Sequence, residues 1–331
     1  MIDRLEQLHD WLHTELGLSD YSIVPASEDA SFRRYYRLEH NNTSWIVMDA
    51  PPKHEDCAPY IDIAGRLRAC GVNAPKVYNA DTELGFLRLT DLGSQLYLDV
   101  LEDANADTLY IDALESLIKI QQCVDNTGIP TYSAEQLLQE MDLFRDWLVK
   151  QQLGIDLDTG QHEKLDHLFA FLADTALEQP RVFVHRDYHS RNLMYCKKKN
   201  PGVVDFQDAV VGPITYDLVS LLKDCYIKWP RAQVNAWVSI FYQRIQSSGY
   251  DEAHFLRWFD LMGVQRHLKA SGIFARLHLR DGKAGFLDDI PRTLSYILDL
   301  EHDYPELGFL IDLIQVRMLP QMERGNLACG P

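Results

Sequence analysis

Three oxygen-bearing side chains at fixed spacing define the chemistry open to this chain. Asp187 lies in Val184-His185-Arg186-Asp187-Tyr188-His189-Ser190-Arg191-Asn192, and Asp205 follows thirteen residues after Asn192. Between Asn192 and Asp205 lie an apolar run at 193–196, a turn-prone Lys197-Lys198-Lys199-Asn200-Pro201, then Gly202 and a second apolar run. That pattern predicts a β-hairpin. Positions 192 and 205 sit symmetrically about its turn, so antiparallel pairing brings the Asn192 amide and the Asp205 carboxylate to the same open end. Two hard oxygen ligands side by side suit Mg²⁺ carrying phosphate oxygens. Asp187 precedes the first strand, within reach of a hydroxyl in line with a terminal phosphate, where a carboxylate orients the hydroxyl and takes its proton.

The surrounding elements must hold these groups. An amphipathic helix is expected near the start, where Leu5, Leu8, Leu12 and Leu16 recur at helical spacing. Strands are expected at 21–26, 32–39 and 44–48, joined by the 27–31 loop and an Asn41-Asn42 turn as an antiparallel meander. Pro51-Pro52 breaks the chain before a helix over 57–69 that stops at Gly71, and two more strands are expected at 76–78 and 85–89. From residue 94 helical stripes dominate, among them 110–122 and 134–153, and these read as core. Asp217, at the start of a further helix, reads as an N-cap or a brace for the 185–192 loop. The helical region 258–276 carries Arg266, His267 and Lys269 close together; ion pairing is the expected fate of each, with contact to an anionic substrate group as the alternative.

The segment His185-Arg186-Asp187 with Asn192 fits the protein-kinase catalytic-loop pattern at every fixed position. Asp29-Ala30-Ser31-Phe32-Arg33-Arg34-Tyr35, Val47-Met48-Asp49-Ala50-Pro51-Pro52 and Gly212-Pro213-Ile214-Thr215-Tyr216-Asp217 extend the likeness nearly end to end. The chain resembles the aminoglycoside phosphotransferase branch of the protein-kinase-like fold, and within it the bacterial amino-sugar kinases of cell-wall recycling. The resemblance implies an α+β bilobal fold, with a small antiparallel-sheet lobe over 1–90 and a larger, mostly helical lobe over 91–331. It implies ATP and Mg²⁺ as cofactors and transfer to an amino-sugar hydroxyl, most closely the anomeric one, to give a sugar 1-phosphate. Asp187 is then the base, Asn192 and Asp205 the metal ligands, and His189 a bracing or phosphate-contacting residue.

Two features depart from the kinase pattern. The loop between the first strands contains no glycine, so Ser31 and its neighbours are the expected donors of backbone N–H to phosphate. The third strand has Met48 or Asp49 where a lysine is expected. Arg33 and Arg34 are candidates for the missing cation, paired with Glu55, Asp56 or Asp62; Lys53 reads as a surface residue. The segment from Arg88 and Leu89 to Gly93 is the expected hinge, whose backbone meets a nucleotide base. A kinase of another alcohol, such as an aminoglycoside or choline, and a nucleotide-binding pseudokinase scaffold are the rival readings.

Composition bounds the rest. The 331 residues carry a formal charge of −17, which argues against a nucleic-acid partner. Six scattered cysteines, none in a C-x-x-C pair, suggest reduced thiols rather than zinc or disulfides. The charged N-terminal helix and the lack of a membrane-length apolar run predict a cytoplasmic protein without membrane contact.

Overall fold

The computed structural model describes residues 3–28, 32–245 and 249–324. In chain order the elements are helix α1 (Arg4–Thr14), strands β1 (Ser22–Glu28), β2 (Arg34–His40) and β3 (Thr43–Asp49), helix α2 (Ala58–Ala69), strands β4 (Val77–Asp81) and β5 (Phe86–Thr90), then helices α3 (Tyr97–Val100), α4 (Ala106–Cys123), α5 (Ala134–Leu143) and α6 (Thr159–Leu177). There follow strands β6 (Arg181–Val184), β7 (Leu193–Met194), β8 (Gly202–Val203) and β9 (Val210–Pro213), and helices α7 (Tyr216–Leu222), α8 (Arg231–Ile245), α9 (Glu252–Asp281) and α10 (Ile290–Leu298). The fold is α+β, as expected: one five-stranded antiparallel sheet near the N-terminus and a mostly helical remainder.

The chain forms two compact units, one of residues 1–124 with 191–208, the other of 125–190 with 209–331. In the first, the sheet runs β1-β2-β3-β5-β4. Tight turns explain the first three strands: Asn41 and Asn42 both adopt positive φ, 50° and 58°, between β2 and β3, the conformation a two-residue hairpin loop demands. Strand alternation then sorts the side chains. Tyr36, Leu38, Trp45, Val47 and Phe86 pack with Leu8, Trp11 and Leu12 of α1. Met48, Leu87 and Leu89 lie on the opposite face by the same alternation and are fully buried.

In the second unit β6 pairs with β9, and α9 is the central helix, buried along most of its length. Gly272 explains how closely it packs: a Cβ there would stand 2.3 Å from the Leu143 carbonyl carbon and 2.5 Å from the Phe144 nitrogen. The stripe expected over 134–153 is a helix, but it widens from α to π winding at Phe144, where that approach occurs.

One sequence expectation is overturned. Cys70, capping the end of α2, and Cys123, the last residue of α4, are joined in a disulfide with Cα atoms 5.6 Å apart, while Cys57, Cys196 and Cys225 are free thiols. The two ends meet through the packing of helices 53 positions apart, which no local spacing could announce. Among the described residues no helix is long and apolar enough to cross a membrane.

Candidate active site

The loop carrying Asp187 belongs to the second unit and is tied down by two buried aspartates at the ends of α7. Asp217 accepts from the backbone N–H of His185 at 2.6 Å and of Arg186 at 3.0 Å. Asp224 accepts from the N–H of Ser190 at 2.9 Å and of Tyr226 at 2.9 Å. Asp217 is thus the expected brace rather than a cap of its own helix. Burial lifts its pKa to about 6, with His185 and the two N–H donors acting against that rise. Arg186, at φ 79°, is held in a left-handed conformation rare for a bulky side chain. Its guanidinium reaches Glu140 on α5 at 2.6 Å, and Glu140 also takes Lys269 at 2.9 Å and the Tyr132 hydroxyl.

Within that frame the Asp187 side chain remains about half exposed. Burial works against its ionisation, but Lys269, His189, Arg266 and His185 outweigh it and hold the carboxyl below its ordinary range. His189 packs edge-on to Tyr226, with ring centres 5.4 Å apart, and its Nδ1 is buried without a hydrogen-bond partner. Burial depresses its pKa, and the attraction of Asp224 and Asp187 does not restore it.

The predicted hairpin is present in the first unit: Leu193 pairs with Val203 and Met194 with Gly202. Its flanks are pinned by Tyr195 N–H to the Gln95 carbonyl at 2.8 Å and Val203 N–H to the Asn73 carbonyl at 3.0 Å. At the open end the Val204 N–H bonds the Asn192 carbonyl at 3.2 Å, and Asn192 Nδ2 donates to Asp205 Oδ2 at 3.2 Å. Asp205 has φ 64°, and its other oxygen accepts from Gln207 Nε2 at 2.9 Å. The residue that replaces glycine in the kinase pattern therefore orients the carboxylate. The donor set fits Mg²⁺, which is commonly held by one or two protein oxygens together with phosphate. Among the described residues no three His, Cys, Asp or Glu side chains gather to hold a metal by themselves.

The two arginine candidates diverge. Arg33 forms a 2.7 Å ion pair with Glu55, both side chains about nine-tenths buried. Burial disfavours its charge, but Tyr35, Glu55, Asp208 and Asp205 more than compensate. Arg34 instead bonds Asp49 at 2.7 Å, and Arg4 of α1 bonds the same carboxylate. The register pairing Arg34 with Asp49 and Tyr36 with Val47 puts Arg34 on the α1 side of the sheet. Of the three acids weighed as partners, Asp56 caps the start of α2 through the Ala58 N–H at 2.8 Å, and Asp62 pairs along the helix with Arg66. Lys53 is exposed. Phe32 stacks on His54 at 4.3 Å beside the Arg33–Glu55 pair; Ser31 lies outside the described residues.

At the expected hinge, Arg88 lies over the rings of Trp45 and Tyr78, at 5.2 and 5.8 Å, on the sheet face that α1 covers. Leu89 pairs with Ile46 and Val77 and turns its side chain to the opposite face. The turn at 91–93 owes its shape to Arg37, which carries no signal in the sequence. Arg37 bonds Asp91 at 2.8 Å and the Gly93 carbonyl at 2.8 Å, while Asp91 accepts from the Gly93 N–H at 2.9 Å. Glu140 and Asp224 were also missed. Each acts on residues far away in sequence and has no local signature.

The sheet, the helical remainder and the braced loop define a protein-kinase-like fold. The profile of the phosphotransferase enzyme family matches residues 22–256, and the chain belongs to that family. Curated relatives named N-acetylmuramate/N-acetylglucosamine kinase include those of Pseudomonas putida, 43% identical over 94% of this chain and 96% of the relative, and Pseudomonas aeruginosa, 44% identical over 96% and 97%. A third, from Neisseria meningitidis, is 40% identical over 95% and 96%. Among solved structures, a choline kinase from Streptococcus pneumoniae superposes with a TM-score of 0.65 at 14% identity, covering 90% of this chain and 100% of that one. The GDP complex of an aminoglycoside 2'-phosphotransferase gives 0.62 at 17% identity, covering 90% and 98%.

Proposed function

We propose that this phosphotransferase moves the terminal phosphoryl group of ATP to the anomeric hydroxyl of N-acetylmuramate and N-acetylglucosamine, giving the sugar 1-phosphate and ADP in the cytoplasm. The observation that carries the reaction type is the meeting of Asn192 and Asp205 at the open end of their hairpin, 3.2 Å apart. The two sugars are those for which relatives that match this chain almost end to end are named.

In this reading Asp187 accepts a hydrogen bond from the acceptor hydroxyl and takes its proton as the oxygen bonds to phosphorus and the bond to ADP breaks. Transfer is direct, without a covalent enzyme intermediate. Asn192 and Asp205 would hold Mg²⁺, which would neutralise phosphate charge, and Gln207 keeps the Asp205 carboxylate aimed. Arg33, anchored by Glu55, supplies the cation that a strand lysine gives elsewhere. His189 contacts phosphate, Arg34 steadies β2 through Asp49, Ser31 offers its backbone N–H to phosphate, and the backbone from Arg88 and Leu89 to Gly93 receives the base. The substitution of Arg33 for the lysine removes the main ground for a pseudokinase.

The test is ATP consumption with Mg²⁺ and each sugar, an aminoglycoside and choline, with phosphorus NMR of the product. A sugar 1-phosphate is expected, lost on adding a chelator and formed far more slowly, at a measurable residual rate, in Asp187→Asn. Turnover of the aminoglycoside or choline without turnover of either sugar would overturn the acceptor. ATP binding without transfer to any acceptor would overturn the enzyme reading of the site.

A further inference from the structure

Helix α9 sends a buried cation to the catalytic loop that the mechanism above leaves without a task. Arg266 is 5% exposed. One of its terminal nitrogens stands 3.9 Å from Asp187 Oδ1, its guanidinium lies 5.9 Å from the centre of the Tyr216 ring, and its Nε is buried without a hydrogen-bond partner. Lys269, one turn further, is differently placed: its Nζ is taken by Glu140 and by the Tyr216 hydroxyl, each at 2.9 Å.

The distance matters. A charge-assisted hydrogen bond between nitrogen and carboxylate runs at about 2.7–2.9 Å. At 3.9 Å Arg266 attracts Asp187 without occupying that oxygen in a hydrogen bond. Nearby acids are committed elsewhere: Glu140 to Arg186 and Lys269, Asp217 to the N–H groups of His185 and Arg186, Asp224 to those of Ser190 and Tyr226. The charges that act on Asp187 include those of Arg266 and Lys269 from α9, with His185 and His189 of its own loop, and they lower its pKa.

We propose that Arg266 is a positioning residue which acts on the acceptor only through Asp187, keeping that carboxylate ionised and aimed, and so favours hydroxyls acidic enough to release a proton to a weak base. The substrate-class half rests on the anomeric reading, since a hemiacetal hydroxyl is more acidic than an ordinary alcohol; the coupling of Arg266 to Asp187 does not. A carboxylate held this firmly ionised is a poor acceptor for the proton of an ordinary alcohol.

The experiment uses the full chain with Arg266→Gln and Arg266→Lys, and follows the Asp187 carboxyl by carbon NMR, assigned by its loss in Asp187→Asn. Arg266→Gln should raise the Asp187 midpoint by about 1 unit or more, the usual effect of one opposite charge within 4–6 Å. Arg266→Lys should hold it near the original value, because charge rather than the guanidinium fork does the work. With ATP and N-acetylglucosamine, Arg266→Gln should lower kcat about tenfold with little change in KM for ATP, as expected for lost aim. Added to Asp187→Asn, it should lower kcat no further. An unmoved midpoint in a folded Arg266→Gln, or a further tenfold loss in the Asp187→Asn background, would overturn the proposal. If Arg266→Gln does not fold, a midpoint in Arg266→Lys as high as an ordinary aspartate's would overturn it. The titration needs no substrate, so failure of the anomeric reading shows separately, as absence of sugar 1-phosphate with the Asp187 shift intact.

Discussion

Replacing Arg33 tests whether this arginine stands in for the absent strand lysine. In Arg33→Ala, Glu55 keeps a side chain only 11% exposed and loses a partner at 2.7 Å. Removing one member of a buried pair costs about 3–5 kcal/mol, and because Glu55 retains some access to water the lower end, about 3 kcal/mol, is the expected loss of stability. The functional loss is separate. One charge-assisted hydrogen bond to phosphate is worth about 1.5–3 kcal/mol, which is about a 10- to 150-fold rise in KM for ATP. Glu55→Gln keeps an oxygen to accept from Arg33 but removes the opposing charge, so Arg33 is drawn toward Asp205 and Asp208, the other acids that act on it. That variant should therefore raise the Mg²⁺ concentration needed for half-maximal rate more than it raises KM for ATP. Steady-state kinetics with ATP and Mg²⁺ varied independently separate the two, and urea denaturation gives the stability term. A KM for ATP within twofold of wild type in a folded Arg33→Ala would refute the substitution argument.

Asp217→Asn should show a pH signature. Because the folded pKa, about 6, lies above the ordinary 3.8, the buried carboxyl prefers its proton. Its contribution to stability therefore grows as pH falls through 6 toward 3.8, by up to about 3 kcal/mol. Urea denaturation should show the gap between wild type and variant widening over that window; a gap that narrows would contradict the sign. Gly272→Ala should destabilise by about 1–3 kcal/mol, since its Cβ meets the Leu143 and Phe144 backbone at 2.3–2.6 Å rather than a flexible side chain, and a thermal midpoint within a degree of wild type would contradict that. Changing Cys70 and Cys123 together to serine opens a loop spanning 53 positions, for which chain entropy gives at most about 4 kcal/mol; a thermal midpoint of wild type insensitive to a strong reductant would show that the bridge does not form in solution.

What the sequence made legible follows the reach of local geometry. The meeting of Asn192 and Asp205 could be read because a two-stranded hairpin converts a symmetric spacing directly into proximity. Asp217 as a brace was legible for a similar reason: an acid at a helix start faces backbone donors, although the donors here belong to the 185–186 segment rather than its own helix. Arg33 and Arg34 could not be separated, because neighbouring strand residues point to opposite faces and a register shift of one residue exchanges them. Only the pairing of Arg34 with Asp49 decides the question. Nor could Glu55, Asp56 and Asp62 be ranked, since each is equally suited to a helix start or an arginine until the first turn of α2 is placed.

The least legible part was α9, and the reason is instructive. A periodic apolar stripe predicts a helix with one buried and one wet face. In α9 the residues between the stripes, Asp260, Gln265, Arg266, His267 and Lys269, are buried as well. Such a helix loses the contrast on which periodicity depends, and its polar residues then look like ordinary surface charges. Burial without water obliges each to find a partner or to carry the cost of lacking one. His267 answers through the Lys223 carbonyl at 2.8 Å, Lys269 through Glu140, and Asp260 through Lys223 at 2.7 Å. Arg266 alone among these cations meets its acid at 3.9 Å, and that acid is Asp187. In the proposed mechanism that acid takes the acceptor's proton, so the structural requirement of Arg266 and its proposed effect meet in one interaction. On that proposal helix α9 extends the 185–192 loop, which no motif in its own sequence discloses.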